Sequence, residues 1–170
     1  NGATSVCGSV LATAIALWPD DVGGWKVGRI PSPWRERFGE ERLVGPIFRS
    51  AIRWSTAGEA LDSPVFDGGF AAVEAEFVFR LGADAPSGKH SWTEDEAREI
   101  AASLHVGMEP VSSPLASINQ LGPAVVVSDF GNNVGLIVGP EVPHWRTRPP
   151  ESLVCETFVE GHSVGRGGGA

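Results

Sequence analysis

Positive charge is scarce in this chain. Lysine and arginine number 13 against 21 aspartates and glutamates, a formal charge of −8 over 170 residues. The basic residues form no stripe, and a phosphate-backbone partner requires one, so nucleic acid is set aside as a partner. Cysteine is scarcer still. Cys7 and Cys155 are far apart and form no Cys-x-x-Cys pair, which reads as two reduced, mostly buried thiols of a cytoplasmic protein. Long apolar runs are missing too. The longest, "VLATAIALW" at residues 10–18, is far shorter than a bilayer span, and no basic residue precedes it as in a signal peptide. The expectation is therefore no membrane partner. His90, His105, His144 and His162 lack zinc-ligand spacing, which excludes a tetrahedral zinc site built on them.

Two glycine-rich stretches also lack what their chemistry needs. "GADAPSGKH" has His90 where a phosphate loop places the Ser or Thr that ligates magnesium, and its glycines are one residue too far apart. "GRGGGA" has no preceding Rossmann strand with an acid downstream. It reads as a flexible tail or as a glycine loop cut mid-domain. No repeat or low-complexity linker divides the chain. Hydrophobic residues make up 42%, enough for the core of one domain. Residues 1–170 accordingly read as a single catalytic-type domain, truncated at both ends.

The segments that are present are mostly β. Strands are expected over residues 23–30, ended by Pro31 and Pro33, over 45–54 and over 71–81. Four shorter candidates follow in "HVGMEPV", "AVVVSD", "VGLIVG" and "SLVCETFVEG". Residues 4–18 read as a buried or amphipathic helix, with Val6, Val10, Leu11, Ala14, Ile15 and Trp18 at helical spacing. The clearest helix is "SWTEDEAREIAASL". Thr93 and Glu96 form a capping box, acids fill the first turn, and Ala97, Ile100, Ala101 and Leu104 make an apolar stripe. The class is mostly β (α+β) with a few covering helices.

Within this frame "VEAEFVFRL", residues 73–81, has an odd face. Val73, Ala75, Phe77, Phe79 and Leu81 alternate as a buried face does, while Glu74 and Glu76 stand side by side on the other. Like charges so placed repel, and strands disfavour Glu. Beyond Glu76 the strand is apolar on both faces, so the acids are expected to enter a covered interior. There they must be protonated, paired or bound to a cation. Oxygen ligands without Cys or His suit magnesium, manganese or calcium. Glu109 of "VGMEPV", a lone acid in an apolar strand, is the candidate third ligand.

The ordered set "GWKVG", "VEAEFVF", "GMEPV" and "VVVSDFGNNVGLIVG" resembles the 2-oxopent-4-enoate hydratase branch of the fumarylacetoacetate hydrolase superfamily, from about Gly24 to the C-terminal glycines. The resemblance implies a mixed, mostly antiparallel β-roll with peripheral helices. It implies that Glu74, Glu76 and Glu109 hold Mg2+ or Mn2+, and that Lys26 lines the substrate site. The family's Asp-Asn segment matches Asp129 loosely, since Phe130 and Gly131 separate it from Asn132. The implied activity adds water to a 2-hydroxydienoate, by way of its 2-oxo-enoate tautomer, to give a 4-hydroxy-2-oxo acid in aromatic-compound catabolism. Its implied partners are the small dienoic acid and further copies of the chain in a homo-oligomer. Acylpyruvate C–C hydrolysis or 2-oxo acid decarboxylation on the same fold is the alternative, and a non-catalytic binding chain is a third. Relatives of the hydrolase type usually carry Asp where this chain has Glu109, which favours the hydratase.

Overall fold

The computed structural model of the chain describes residues 9, 12, 13, 15–18, 21–32, 34–56 and 58–168. The helix expected over 4–18 lies largely outside them. Its described residues up to 17 are helical, and Ile15, Leu17 and Trp18 are exposed.

The elements are β1 (Val22–Arg29), α1 (Trp34–Phe38), β2 (Arg42–Phe48), β3 (Ile52–Trp54), β4 (Phe70–Leu81), α2 (Glu94–Ile100), β5 (Ala101–Ser113), α3 (Pro123–Ser128), β6 (Leu136–Glu141), β7 (Val154–Val159) and β8 (His162–Gly168). The protein is thus mostly β with few helices, the α+β class expected. β1 pairs with β2, β7 with β8, and four strands form a sheet in the order β3-β6-β5-β4. No described helix is long and apolar enough to cross a membrane.

Two compact units emerge. The first gathers the chain up to Arg53 with Ala60–Glu74 and Glu109–Ile137; the second holds Trp54–Glu59, Ala75–Met108 and the chain from Val138. In the first, β1 and β2 run antiparallel with Lys26 opposite Gly45. The segment after α3 is bridged to β5 at Val111 and Asn133. In the second, Ala101, Leu104, Val142 and Trp145 form a buried cluster joined by Phe77 and Leu153. Arg146 stacks on Trp145 at 4.5 Å.

Several expectations change. The helix after Thr93 stops at Ile100, and Ala101 turns extended to begin a 13-residue strand. Leu104, expected on the helix stripe, is buried in β5 instead. A central strand that buries most of its side chains outweighs local helix propensity. "AVVVSD" forms α3 rather than a strand. Gly122 at φ 92° and Pro123 in the first turn set the backbone for a helix, and the β-branched penalty over six residues is small. Residues 45–54 break into β2, a 3-10 turn over Arg49–Ala51, and β3. "HSVGRGG" is β8, not a tail. Glu160 and Gly161 both take positive φ between Val159 and His162, the two-residue turn that suits a right-twisted hairpin.

The faces of two strands are also corrected. β4 is a terminal strand of its sheet, and its odd-numbered face is not a buried one: Phe79 and Leu81 are each 55% exposed. In β1, alternation sets Trp25 and Val27 on one side, expected to be the packed face, and Lys26 on the other; Trp25 and Val27 are exposed instead, and Lys26 is half-buried.

The capping box at α2 is as expected. Thr93 Oγ1 accepts from the Glu96 N–H at 3.2 Å, and the Thr93 N–H donates to Glu96 at 2.8 Å. A hydrogen bond from Lys89, followed by the Thr93 backbone, holds the Glu96 carboxyl below its ordinary 4.5. The stability this adds is present above that ordinary value and is lost as pH falls through the lowered one. Thr93→Ala removes the cap and is expected to cost about 1 kcal/mol, read as a lower urea midpoint at unchanged slope.

Candidate metal centre

Lys26 reaches its site because the strand opposite has no side chain there. A Cβ on Gly45, its partner in β2, would lie 2.2 Å from the Phe130 carbonyl oxygen. The turn that follows α3 occupies that space. Phe130, Gly131 and Asn132 all take positive φ, at 51°, 80° and 53°, a run that L side chains rarely adopt and that Gly and Asn tolerate best. It is secured by Gly131 N–H to the Val126 carbonyl at 2.7 Å and by the Phe130 ring, edge-on to Phe48 at 5.5 Å. Gly131 itself is required by proximity, since a Cβ would meet Lys26 Cδ at 2.8 Å.

The Lys26 ammonium therefore has fixed partners. Nζ donates to the Gly131 carbonyl at 3.1 Å and lies 2.8 Å from Glu109 Oε1, the two side chains being 11% and 4% exposed. Glu109 is carried on β5, whose buried run places it on the covered side. Asn133 donates from Nδ2 to the same Oε1 at 2.8 Å and to the Gly135 carbonyl at 3.1 Å. Both hydrogens of its amide are thus used, which fixes which end of the amide is nitrogen.

Glu74 and Glu76, two residues apart on β4, complete a group with Glu109: one carboxylate oxygen from each lies within 4.8 Å of the others. Glu74 is exposed, Glu76 half-buried and Glu109 buried, so the pair does not enter a covered interior together; burial deepens toward Glu109. Three carboxylates at this spacing make an oxygen-only donor set, which fits a hard divalent cation.

Asp129 is placed differently. It caps the C-terminal end of α3, its N–H bonded to the Val125 and Val126 carbonyls. Among the described residues no hydrogen bond or ion pair ties its carboxylate to Lys26 or the glutamates, and Oδ2 is buried without a partner. Of the two cysteines Cys155 is described, as a free thiol whose pKa is raised by burial and by the Glu76 charge.

Asn133 is the residue that sequence reasoning passed over. The one available signal was the Gly-Asn-Asn run itself, whose tolerance of positive φ marks a turn but not which side chain it aims. Compared with protein-family models and with curated proteins, the chain matches none.

The fit of the turn against β2 gives a direct test. Gly45→Ala should push the Phe130–Gly131 turn away from Lys26 and cost about 1–3 kcal/mol, the range for overpacking a close contact. Gly165→Ala, where nothing lies within 4 Å of the new Cβ, serves as the control. Urea midpoints of the two variants should separate clearly.

Proposed function

We propose that this protein is a metal-dependent hydratase that adds water to a 2-hydroxydienoate, resembling the 2-oxopent-4-enoate hydratase branch of the fumarylacetoacetate hydrolase superfamily with its β-roll fold. The observation that carries the reading is the grouping of Glu74, Glu76 and Glu109 with Lys26 ion-paired to the third of them. The three glutamates would hold Mg2+ or Mn2+. When bound, that ion supplies Lewis-acid stabilisation of negative charge developing on a 2-oxo oxygen.

The chain's own residues supply the rest. Lys26 has three N–H donors, and two are engaged by Glu109 and Gly131. Among the described residues the third has no acceptor, and it would donate to an anionic substrate. Ketonisation of 2-hydroxypenta-2,4-dienoate moves the hydroxyl proton off oxygen and delivers a proton to C5, giving the 2-oxo-3-enoate. Water then adds, hydroxyl to C4 and proton to C3, and yields the 4-hydroxy-2-oxo acid. Lys26 is the group placed to relay these protons, with Glu109 and Gly131 holding its orientation. In this reading the protein works in the cytoplasm as a homo-oligomer on a small dienoic acid.

The test is loss of dienoate absorbance with and without magnesium, with products identified. Metal-dependent formation of the 4-hydroxy-2-oxo acid supports the hydratase. Carbon dioxide release, or cleavage of an acylpyruvate in its place, reassigns the reaction. No turnover of any of these substrates leaves a binding chain.

A further inference from the structure

We infer that Asn133 is a positioning residue that commits Glu109 to ligate the cation through Oε2 alone, an inference that rests on the metal reading above. Among the described residues, both donors to the Glu109 carboxylate land on one oxygen. Lys26 Nζ and Asn133 Nδ2 each approach Oε1 at 2.8 Å. A carboxylate oxygen has about two lone-pair sites, so Oε1 is filled and Oε2 is the oxygen left for a cation.

The two donors are not equivalent. Lys26 sits on a long stem and brings charge; Asn133 is short, neutral and anchored at both hydrogens. Its second bond goes to the Gly135 carbonyl at 3.1 Å, two residues on, so the amide cannot rotate without breaking one bond or the other. Its backbone is held against β5 by the Val111–Asn133 bridge, by Ser112 N–H to the Asn132 carbonyl at 3.0 Å, and by Val134 N–H to the Pro110 carbonyl at 3.3 Å. Donor and acceptor thus ride on one locally paired piece of backbone. Asn133 thereby fixes the Glu109 rotamer whether or not Lys26 is engaged elsewhere. During turnover Lys26 can direct its third N–H to substrate while Asn133 keeps Glu109 in place.

Outer hydrogen bonds of this kind typically tune metal affinity by about 10–100-fold when removed. Asn133→Leu, close in volume but without donors, should weaken Mn2+ binding by that factor in an electron paramagnetic resonance titration, with the same number of ions bound at saturation. Asn133→Ser, smaller and able to donate one hydrogen bond, should lie between. A purely structural role would lower the melting temperature in chelator and leave the Mn2+ affinity of the folded protein at the wild-type value, which overturns the inference. The unaltered protein gives a reading that needs no variant. Magnesium titration should shift the Asn133 side-chain amide resonances with the midpoint of the metal-induced stabilisation, and resonances that stay in place overturn the inference as well. Absence of Mn2+ binding by the wild type refutes the metal reading itself and the inference with it. Wild-type binding with unchanged affinity in Asn133→Leu refutes the inference alone.

Discussion

Millimolar magnesium or manganese should raise the melting temperature of this protein, and chelator should return it to the metal-free value. A ligand that binds only the folded state stabilises by RT ln(1 + [L]/Kd), about 2.7 kcal/mol at a hundredfold excess over the dissociation constant. For a 170-residue chain that corresponds to roughly 5–11 °C. The donors are Glu74, Glu76 and Glu109, whose carboxylates lie within 4.8 Å of one another, with Lys26 ion-paired to Glu109. Glu76→Gln, which swaps an anionic ligand for a neutral one, should abolish the response. Glu59→Gln changes a glutamate outside that group and should keep it. A melting temperature indifferent to divalent ions removes the glutamates from consideration as a metal centre.

The second large effect is expected at Lys26, and it has two parts. Lys26→Met keeps the apolar stem but leaves Glu109, 4% exposed, without its cation. Removing one partner of a buried ion pair costs about 3–5 kcal/mol because the other charge stays behind unpaired. In metal-free buffer the variant should therefore melt well below the wild type, and part of that loss should return on adding magnesium, which offsets the same carboxylate. Turnover, measured at saturating metal on the folded variant, should fall by about 10²–10⁴, the usual contribution of a positioned proton donor. Lys26→Arg restores the charge, but guanidinium does not release its proton. Arginine that recovers stability without recovering rate assigns proton transfer to Lys26; arginine that recovers both reduces its role to electrostatics. Undiminished turnover in Lys26→Met would remove it from the chemistry.

The legible parts of the fold were those where local chemistry is self-sufficient. The Thr93–Glu96 capping box starts α2 at the expected residue, because both its hydrogen bonds are made within one turn. Alternation located β4 to within a residue at its start, Phe70 against an expected 71. Where α2 ends was not legible. Ala101 and Leu104 continue a helical stripe in sequence, yet they belong to the central strand β5, and only the neighbouring strands decide that. The same holds for facing. Period-two patterning tells which side chains share a side, not which side is covered, so Trp25 and Val27 were assigned to the packed face when Lys26 holds it. A run of three valines reads as strand until the Gly-Pro start of α3 is given its due.

The candidate site divides in a similar way. Glu74 and Glu76 were conspicuous as like charges on one strand face, and Glu109 as an acid in an apolar run, because each breaks a local rule. Asn133 breaks none. Its place beside Glu109 depends on three consecutive positive-φ residues that turn the chain back along β5, a path that residue types alone do not specify. Gly45 is of the same kind: its use is measured in the distance to a carbonyl far along the chain.

The central claim is that these three glutamates hold one divalent cation, and a Mn2+ titration followed by electron paramagnetic resonance tests it most directly. The sharp six-line signal of the free aqueous ion should be suppressed until one equivalent per chain has been added, and magnesium should restore it by competition. With Glu74, Glu76 and Glu109 all replaced by glutamine, free signal should grow from the first addition. Free Mn2+ signal rising in the same way with the unaltered protein, or suppression that survives the triple replacement, contradicts the account.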